Sequence, residues 1–279
     1  MVRTTPSARV KRNHLFKAFF IGGTMKAKIL FLSAILIASI QTLHAKTLIV
    51  SDVDDTIKMT DVLGKKSTIV FNGLFREKAF AGMSELYNQM MNEDTSIYYV
   101  SGSPKLIRVR VSEFLEENDF PQQRNLLLKD SMNDDTYEYK TSTIKKLIKE
   151  LRPDKLILIG DDTEYDPQVY EHIKAEYPEL SSTIYIRAVS NREGVQTLFF
   201  SPMEIAGHEF LEGRLDKRAF KVVAHGFLKQ TNDSGIVLKS RYCPKEGREA
   251  IEELKHKIAD QDITELFAKT QKKIIRSCN

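Results

Sequence analysis

The feature that most constrains the fold is an alternation of short apolar strands with amphipathic helices across residues 46–190. Strands that are apolar throughout, with helices between them, form a parallel sheet covered by helices on both faces. The sequence therefore predicts an α/β fold, with a further helix after Pro104. The predicted strands are 46–52, 96–100, 125–128, 155–160 and 183–187, and the other predicted helices are 80–92, 141–151 and 167–177.

Polar residues follow the predicted strands in a fixed order along the chain. In a parallel sheet the carboxyl ends of the strands share one edge, where ligands bind, so these residues are expected to lie together. A carboxylate can attack phosphorus when a cation neutralises the phosphate, and an all-oxygen site suits Mg²⁺. The candidates are Asp52, Asp54, Ser101, Gly102, Ser103, Lys140, Asp161 and Asp166.

In this order and spacing the candidates resemble the four motifs of the haloacid-dehalogenase-like (HAD) superfamily, across roughly residues 48–190. The strings SDVDDTIK, YYVSGSP and LILIGDDTEYDPQVY narrow the resemblance to the phosphatidate phosphatase domain known from yeast actin patches, which has many bacterial relatives. The resemblance implies a HAD-like, Rossmann-type parallel sheet with a minimal cap. It also implies a Mg²⁺-dependent phosphomonoester hydrolase, with phosphatidate as the expected substrate.

The resemblance implies a role for each candidate. Asp52 is the nucleophile that forms an aspartyl-phosphate, and Asp54 is the general acid and base. Lys140 neutralises charge between the nucleophile and the phosphate. The phosphoryl oxygens are bound at Ser101, Gly102 and Ser103. The implied Mg²⁺ ligands are Asp52, Asp161, Asp166 and the backbone carbonyl of Asp54.

The chain departs from the family pattern in two places. Residues 160–166 read Gly-Asp-Asp-Thr-Glu-Tyr-Asp where the family typically has Gly-Asp-Ser-Gly-Glu-x-Asp, so the three acids are kept. Residues 122–124 are Gln-Gln-Arg where the family usually has a Gly, and this loop is expected to be a place of substrate contact. Two further acids, Asp55 and Asp162, are interpreted as solvated turn residues.

The net charge of +4 comes from the N-terminal segment. Residues 1–45 contain seven Lys and Arg and no acid, so removing them leaves −3 for residues 46–279. A negative remainder gives no reason to expect nucleic acid as a partner. Local basic groups that can offset this charge at an anionic lipid surface are Lys105, Arg108, Arg110 and Arg187; an exposed helix face is the alternative interpretation.

Residues 1–45 are interpreted as an N-terminal extension and a signal peptide that starts at Met25. Two lysines precede an apolar run at 29–40, which has the length of a signal-peptide core and is too short to span a bilayer. Cleavage after Ala45 gives an exported protein, periplasmic or secreted, without a stable transmembrane anchor. An uncleaved membrane anchor is the alternative.

The rest of the chain divides into a HAD-like phosphatase domain at 46–205 and a mainly helical C-terminal extension at 206–279. The extension is predicted to contain helices at 246–259 and 263–275. The chain has two cysteines, Cys243 and Cys278. An even number in an exported chain predicts one disulfide, with two free thiols as the alternative.

Two other functions compete with a phosphatidate phosphatase. One is an exported HAD phosphatase for soluble substrates such as nucleotides or sugar phosphates. The other is a module that binds phosphatidate without hydrolysing it, and the presence of both Asp52 and Asp54 argues against it. The insert at 57–79 is too short for a large cap, which predicts an open site.

Overall fold

The apolar strands form one parallel sheet, and both of its faces are buried. The structure, a computed structural model, describes residues 46–60, 78–190, 198–231, 235–236 and 246–278. The strands are β1 (Thr47–Ser51), β2 (Thr95–Pro104), β3 (Leu126–Lys129), β4 (Lys155–Asp161), β5 (Ser181–Arg187) and β6 (Leu198–Phe199). The five predicted strands are confirmed, and the two-residue strand β6 was not predicted.

The sheet order is β3-β2-β1-β4-β5-β6, and each neighbouring pair is parallel. Strand β1 therefore has β2 on one side and β4 on the other. This is the point where the strand order reverses, and in open α/β sheets ligands bind there, outside the carboxyl ends of the strands. The sheet order thus predicts that the residues that follow β1 and β4 form the ligand site.

Helices cover both faces of the sheet, as predicted. Along β4, Leu156 and Leu158 pack with α3 and α4, whereas Ile157 and Ile159 belong to the larger core on the other face. This alternation follows from the two-residue period of a strand. The helices are α1 (Met83–Met90), α2 (Arg108–Glu117), α3 (Thr136–Leu151), α4 (Asp166–Glu176), α5 (Pro202–Leu211), α6 (Lys217–Leu228), α7 (Glu246–Lys257) and α8 (Gln261–Cys278).

Helix α3 begins five residues before its predicted start at residue 141. The carboxylate of Asp135 accepts a hydrogen bond from the Glu138 N–H at 2.8 Å and caps the helix. The first turn of the helix is polar, so the apolar periodicity of the sequence does not show where the helix begins. As a result Lys140 lies within the helix and is buried, not placed at a loop-to-helix junction.

The C-terminal segment shares the larger core with the sheet. Leu254 of α7 and Phe267 of α8 belong to the same buried cluster as Ile157 of β4. The boundary predicted between residues 205 and 206 falls inside helix α5. Cys278 is disulfide-bonded, and its predicted partner Cys243 lies outside the described residues.

The two ends of the insert after β1 are joined to each other. Lys58 and Ala79 form an antiparallel bridge, and the Met59 N–H donates to the Lys78 carbonyl at 3.0 Å. Residues 61–77 between these ends lie outside the described residues, as do residues 1–45 with the predicted signal peptide. Within the described ranges, no helix combines the length and apolar character needed to cross a membrane.

Candidate active site

Strands β1 and β4 bring two predicted acids to the same edge of the sheet. Asp52 directly follows β1, and its N–H donates to the Ile159 carbonyl of β4 at 2.8 Å. Asp161 is the last residue of β4. The Thr56 hydroxyl lies 3.2 Å from a carboxylate oxygen of Asp52 and 3.1 Å from one of Asp161. One hydroxyl in the loop after β1 therefore connects the two acids.

Lys140 places its ammonium group between two carboxylates. Its Nζ donates to Asp52 Oδ1 at 2.7 Å and to Asp166 Oδ1 at 2.5 Å. All three side chains are buried, and Lys140 is only 1% exposed. Burial alone would lower the pKa of Lys140, but the carboxylates of Asp166 and Asp52 raise it above its usual range. The lysine is therefore a fixed positive charge beside Asp52.

The buried acids can hold a divalent metal. One carboxylate oxygen from each of Asp52, Asp161 and Asp166 lies within 4.8 Å of the others. Burial, together with the carboxylates of Asp166 and Asp55, raises the pKa of Asp161 well above its usual range. Three clustered carboxylates share the single ammonium of Lys140, so a bound cation would balance the remaining negative charge. An all-oxygen donor set of this kind suits a hard divalent ion.

Asp54 lies outside this triad and faces the end of β2. Its carboxylate accepts hydrogen bonds from the hydroxyls of Thr60 at 2.7 Å, Ser103 at 2.9 Å and Ser101 at 3.3 Å. The Ser103 N–H donates to the Ser101 hydroxyl at 3.0 Å, which fixes the turn. The predicted acid–base residue thus lies beside the predicted phosphate-binding residues.

Two glycines are needed for close approach in this site. A Cβ at Gly160 would lie 2.4 Å from Asp166 Oδ2, so the absence of a side chain lets Asp166 pack against the end of β4. A Cβ at Gly102 would lie 2.9 Å from Thr136 Cγ2 and 3.3 Å from Glu164 Oε2. Glycine is therefore needed for packing at both positions. The sequence motifs alone did not indicate this requirement.

The model of one protein family, described as phosphatidate phosphatase APP1, catalytic domain, matches residues 47–188. This span is just over half of the chain and includes all the candidate residues. The chain belongs to the APP1 catalytic-domain family. Residues 47–188, which we call the APP1 domain, are therefore a phosphatase catalytic domain of this family.

Two curated fungal proteins are similar to this APP1 domain. Uncharacterized protein C29B5.04c of Schizosaccharomyces pombe is 28% identical over 150 residues, 50% of this chain and 25% of its own. Phosphatidate phosphatase APP1 of Saccharomyces cerevisiae is 28% identical over 153 residues, 51% of this chain and 26% of its own. The chain therefore spans about a quarter of the length of these relatives.

Two solved structures of the class C acid phosphatase from Bacillus anthracis, one with tungstate bound, also match. Both are 17% identical in sequence to this chain. Their TM-scores are 0.35 and 0.37, and each match covers 74% of this chain and 88% of the acid phosphatase.

The interpretation of Asp55 and Asp162 as solvated acids was wrong, because both are buried in the APP1 domain. Asp55 Oδ1 accepts the Thr60 N–H at 2.9 Å, in a residue with a left-handed φ of 55°. Asp162 Oδ1 accepts the N–H groups of Val189 and Ser190, each at 2.8 Å. These carboxylates satisfy loop N–H groups that would otherwise be buried without partners.

The loop at residues 122–124 does not lie at the active-site edge, so the expected substrate contact there was wrong. The Gln122 side chain accepts the Ile97 N–H at 3.1 Å and donates to the Thr95 carbonyl, at the amino end of β2. Gln122 has a left-handed φ of 50°, a conformation that favours glycine. The backbone conformation therefore explains why the family usually has a glycine near this position. No substrate contact is needed to explain it.

Sequence reasoning missed the role of Arg187, which it interpreted as a basic group available to lipid. The side chain is buried between the rings of Phe80 and Phe199, with centroids 3.9 and 4.6 Å from the guanidinium carbon. Its Nε donates to the Thr56 carbonyl at 2.8 Å and its Nη1 to the Phe200 carbonyl at 2.7 Å. Arg187 therefore holds the loop that carries Thr56.

The other three basic residues differ from Arg187. Arg108 donates to the Leu126 carbonyl at 2.9 Å and is half-buried. Lys105 and Arg110 are exposed, and they form ion pairs with Asp130 and Glu113. Both pairs are exposed and contribute little stability, and their carboxylates offset the positive charges of Lys105 and Arg110.

Proposed function

We propose that this APP1-family domain is a Mg²⁺-dependent phosphomonoester hydrolase that acts on phosphatidate through an aspartyl-phosphate on Asp52. The observation that carries the proposal is the buried contact of Lys140 with Asp52 beside Asp161, at the carboxyl edge of the sheet. Burying a carboxylate and an ammonium is costly, and such groups occur most often at functional sites. The family match supports the reaction class.

In the first step, a carboxylate oxygen of Asp52 attacks phosphorus. The bond from phosphorus to the ester oxygen breaks, and its electron pair goes to that oxygen. Asp54, in its protonated form, donates its proton to the same oxygen, so the alcohol leaves neutral. The hydroxyls of Thr60 and Ser103 can accept as well as donate, so they can stay bonded to Asp54 in both protonation states.

In the second step, Asp54 takes a proton from water as the water oxygen attacks phosphorus. The bond between phosphorus and Asp52 breaks, which returns the Asp52 carboxylate and releases inorganic phosphate. Lys140 stabilises negative charge beside Asp52 in both steps, and the N–H groups and hydroxyls at Ser101–Ser103 orient the phosphoryl oxygens.

Mg²⁺ fits the oxygen ligands of this site. Asp52, Asp161, Asp166 and the Asp54 carbonyl would hold it. When bound, Mg²⁺ would neutralise charge on the phosphate oxygens as a Lewis acid. Asp161 is proposed as a direct ligand, and Asp166 as a ligand that also accepts a hydrogen bond from the ammonium of Lys140.

Phosphate release from several substrates tests the proposal. The purified protein is assayed with phosphatidate in mixed micelles, short-chain soluble phosphatidate, nucleotides and sugar phosphates. We expect the highest kcat/KM for phosphatidate in micelles, loss of activity with a chelator and its return with Mg²⁺. A higher kcat/KM for soluble phosphates would favour the exported soluble-substrate phosphatase, and phosphatidate binding without release would favour the binding module.

We also propose that the protein acts after export. The basic residues and the apolar run in residues 25–45 support this. N-terminal sequencing of the protein from the cells that make it should give Lys46 as the first residue. Recovery with residues 25–45 still attached would instead support an uncleaved anchor.

A further inference from the structure

The apolar residues that are most exposed lie around the active site. Among the described residues, six large hydrophobic side chains are exposed. Four of them follow the carboxyl ends of β2, β3 and β4, and we call these four the apolar rim. They are Leu106 (88% exposed), Val109 (67%), Met132 (74%) and Tyr165 (46%).

Contacts beside the rim residues fix the loops that carry them. Lys105, next to Leu106, forms an ion pair with Asp130, two residues before Met132. At the other end of the rim, the ring of Tyr165 packs against Tyr137 with centroids 6.3 Å apart. The loops that carry Leu106 and Met132 are therefore held together, and Tyr165 packs against the first turn of α3, which follows Met132 along the chain.

The apolar rim directly adjoins the residues proposed to bind phosphate. Leu106 follows the Ser101–Ser103 segment by three residues along the chain. Thr136, which contacts Gly102, also accepts a hydrogen bond from Lys129 at the end of β3. A surface that touches Leu106 and Met132 would thus present its phosphate groups next to Asp54 and Ser101.

We infer that the apolar rim docks this protein onto the surface of a phospholipid bilayer. This inference rests on the proposed function and names how its substrate is presented. Leaving several large apolar side chains in water beside a catalytic site is typical of an interaction surface. Side chains of this kind insert at the boundary between head groups and acyl chains.

Charge favours apolar docking over electrostatic attraction. Residues 46–279 carry a net charge of −3, and the catalytic acids add a local negative field. An anionic surface is repelled by such a charge at long range. Binding to phospholipid should therefore persist in about 1 M NaCl, where the Debye length is about 3 Å.

Vesicle binding with matched variants tests the inference. The exported form, residues 46–279, is mixed with phosphatidylcholine vesicles, so that the apolar run at 29–40 does not contribute, and the bound fraction is measured by sedimentation. The rim variant is Leu106→Gln with Met132→Gln, and the control is Leu211→Gln with Val222→Gln, the exposed apolar residues of α5 and α6. We expect the rim variant to bind at least about tenfold more weakly and the control to bind like wild type.

Turnover gives a second readout. The ratio of kcat/KM on vesicle phosphatidate to kcat/KM on short-chain phosphatidate should fall in the rim variant by the same factor as binding. Equal losses in both variants, no vesicle binding by wild type, or binding lost in high salt would overturn the inference. Vesicle binding as expected, without phosphate release from any phosphatidate, would refute the proposed function and leave docking intact.

Discussion

The catalytic cluster and the apolar rim lie at the same edge of the sheet and reverse the usual distribution of residues. The cluster buries the charges of Asp52, Lys140 and Asp166. The rim exposes large apolar side chains such as Leu106 and Met132. Stability alone favours apolar residues inside and charges outside. Both regions depart from this rule, which indicates that function has selected their residues.

The catalytic cluster and the apolar rim should respond differently to substitution. Removing a charge from the cluster leaves buried partners without compensation, so both activity and stability should suffer. Removing a rim side chain leaves nothing buried without a partner, so stability should hardly change. Measuring activity and stability for the same variants therefore distinguishes the catalytic cluster from the apolar rim.

The largest effect is expected for Asp52→Asn, which keeps the shape of the side chain and removes the proposed nucleophile. We predict that kcat falls by at least about a thousandfold, because the covalent step is lost. Asp154→Asn is the control, since Asp154 lies at the opposite edge of the sheet and accepts from the Lys46 N–H. Turnover of Asp52→Asn within tenfold of wild type would argue against the covalent mechanism.

The next effect is expected for Lys140→Met, which removes the ammonium between Asp52 and Asp166. We predict a loss of about 10²–10³ in kcat, the usual consequence of removing one preorganised donor from a charged transition state. The control is Lys146→Met, on the exposed side of the same helix. If both variants lost activity equally, the contact of Lys140 with Asp52 would have no special role.

A smaller effect is expected for Arg187→Met, which removes the hydrogen bond to the Thr56 carbonyl. Thr56 connects Asp52 to Asp161, so we predict a loss of about 10–100-fold in activity or metal affinity. The Mg²⁺ concentration for half-maximal activity and the Tm are measured together, with Arg110→Met as an exposed control. A fall in Tm alone would show that Arg187 supports packing and not the site.

The smallest effect is expected for the stability of Leu106→Gln. Because Leu106 is exposed, we predict that its free energy of unfolding changes by less than about 0.5 kcal/mol. Leu158→Ala, in the fully buried strand β4, should cost about 2–5 kcal/mol in the same urea titration. A loss above about 2 kcal/mol for Leu106→Gln would place this residue in a packed core and remove it from the apolar rim.

The sheet and much of the site could be predicted from the sequence because their signals are local. A run such as Lys155–Asp161 shows both its strand and its terminal acid in seven residues. Parallel pairing then brings Asp52 and Asp161 to one edge without further information. The contacts of Lys140 needed the family resemblance as well, since the helix start was predicted five residues late.

The roles of Arg187 and Asp162 and the apolar rim could not be predicted, because they depend on contacts between distant parts of the chain. Arg187 donates to the carbonyl of Thr56, which is 131 residues away in sequence. Asp162 is buried because the N–H groups of residues 189 and 190 meet its carboxylate. The apolar rim also lacks a local signal, since an isolated Leu or Met in sequence is normally assigned to a core.

The central claim is that Asp52 becomes phosphorylated during turnover, and trapping that species tests it most directly. The protein is mixed with excess substrate and Mg²⁺, quenched rapidly in acid, digested and examined by mass spectrometry. We predict a phosphoryl group on the peptide that contains Asp52, and none in Asp52→Asn. Steady turnover with no phosphorylated peptide in the wild type, together with turnover near wild type in Asp52→Asn, would contradict the account.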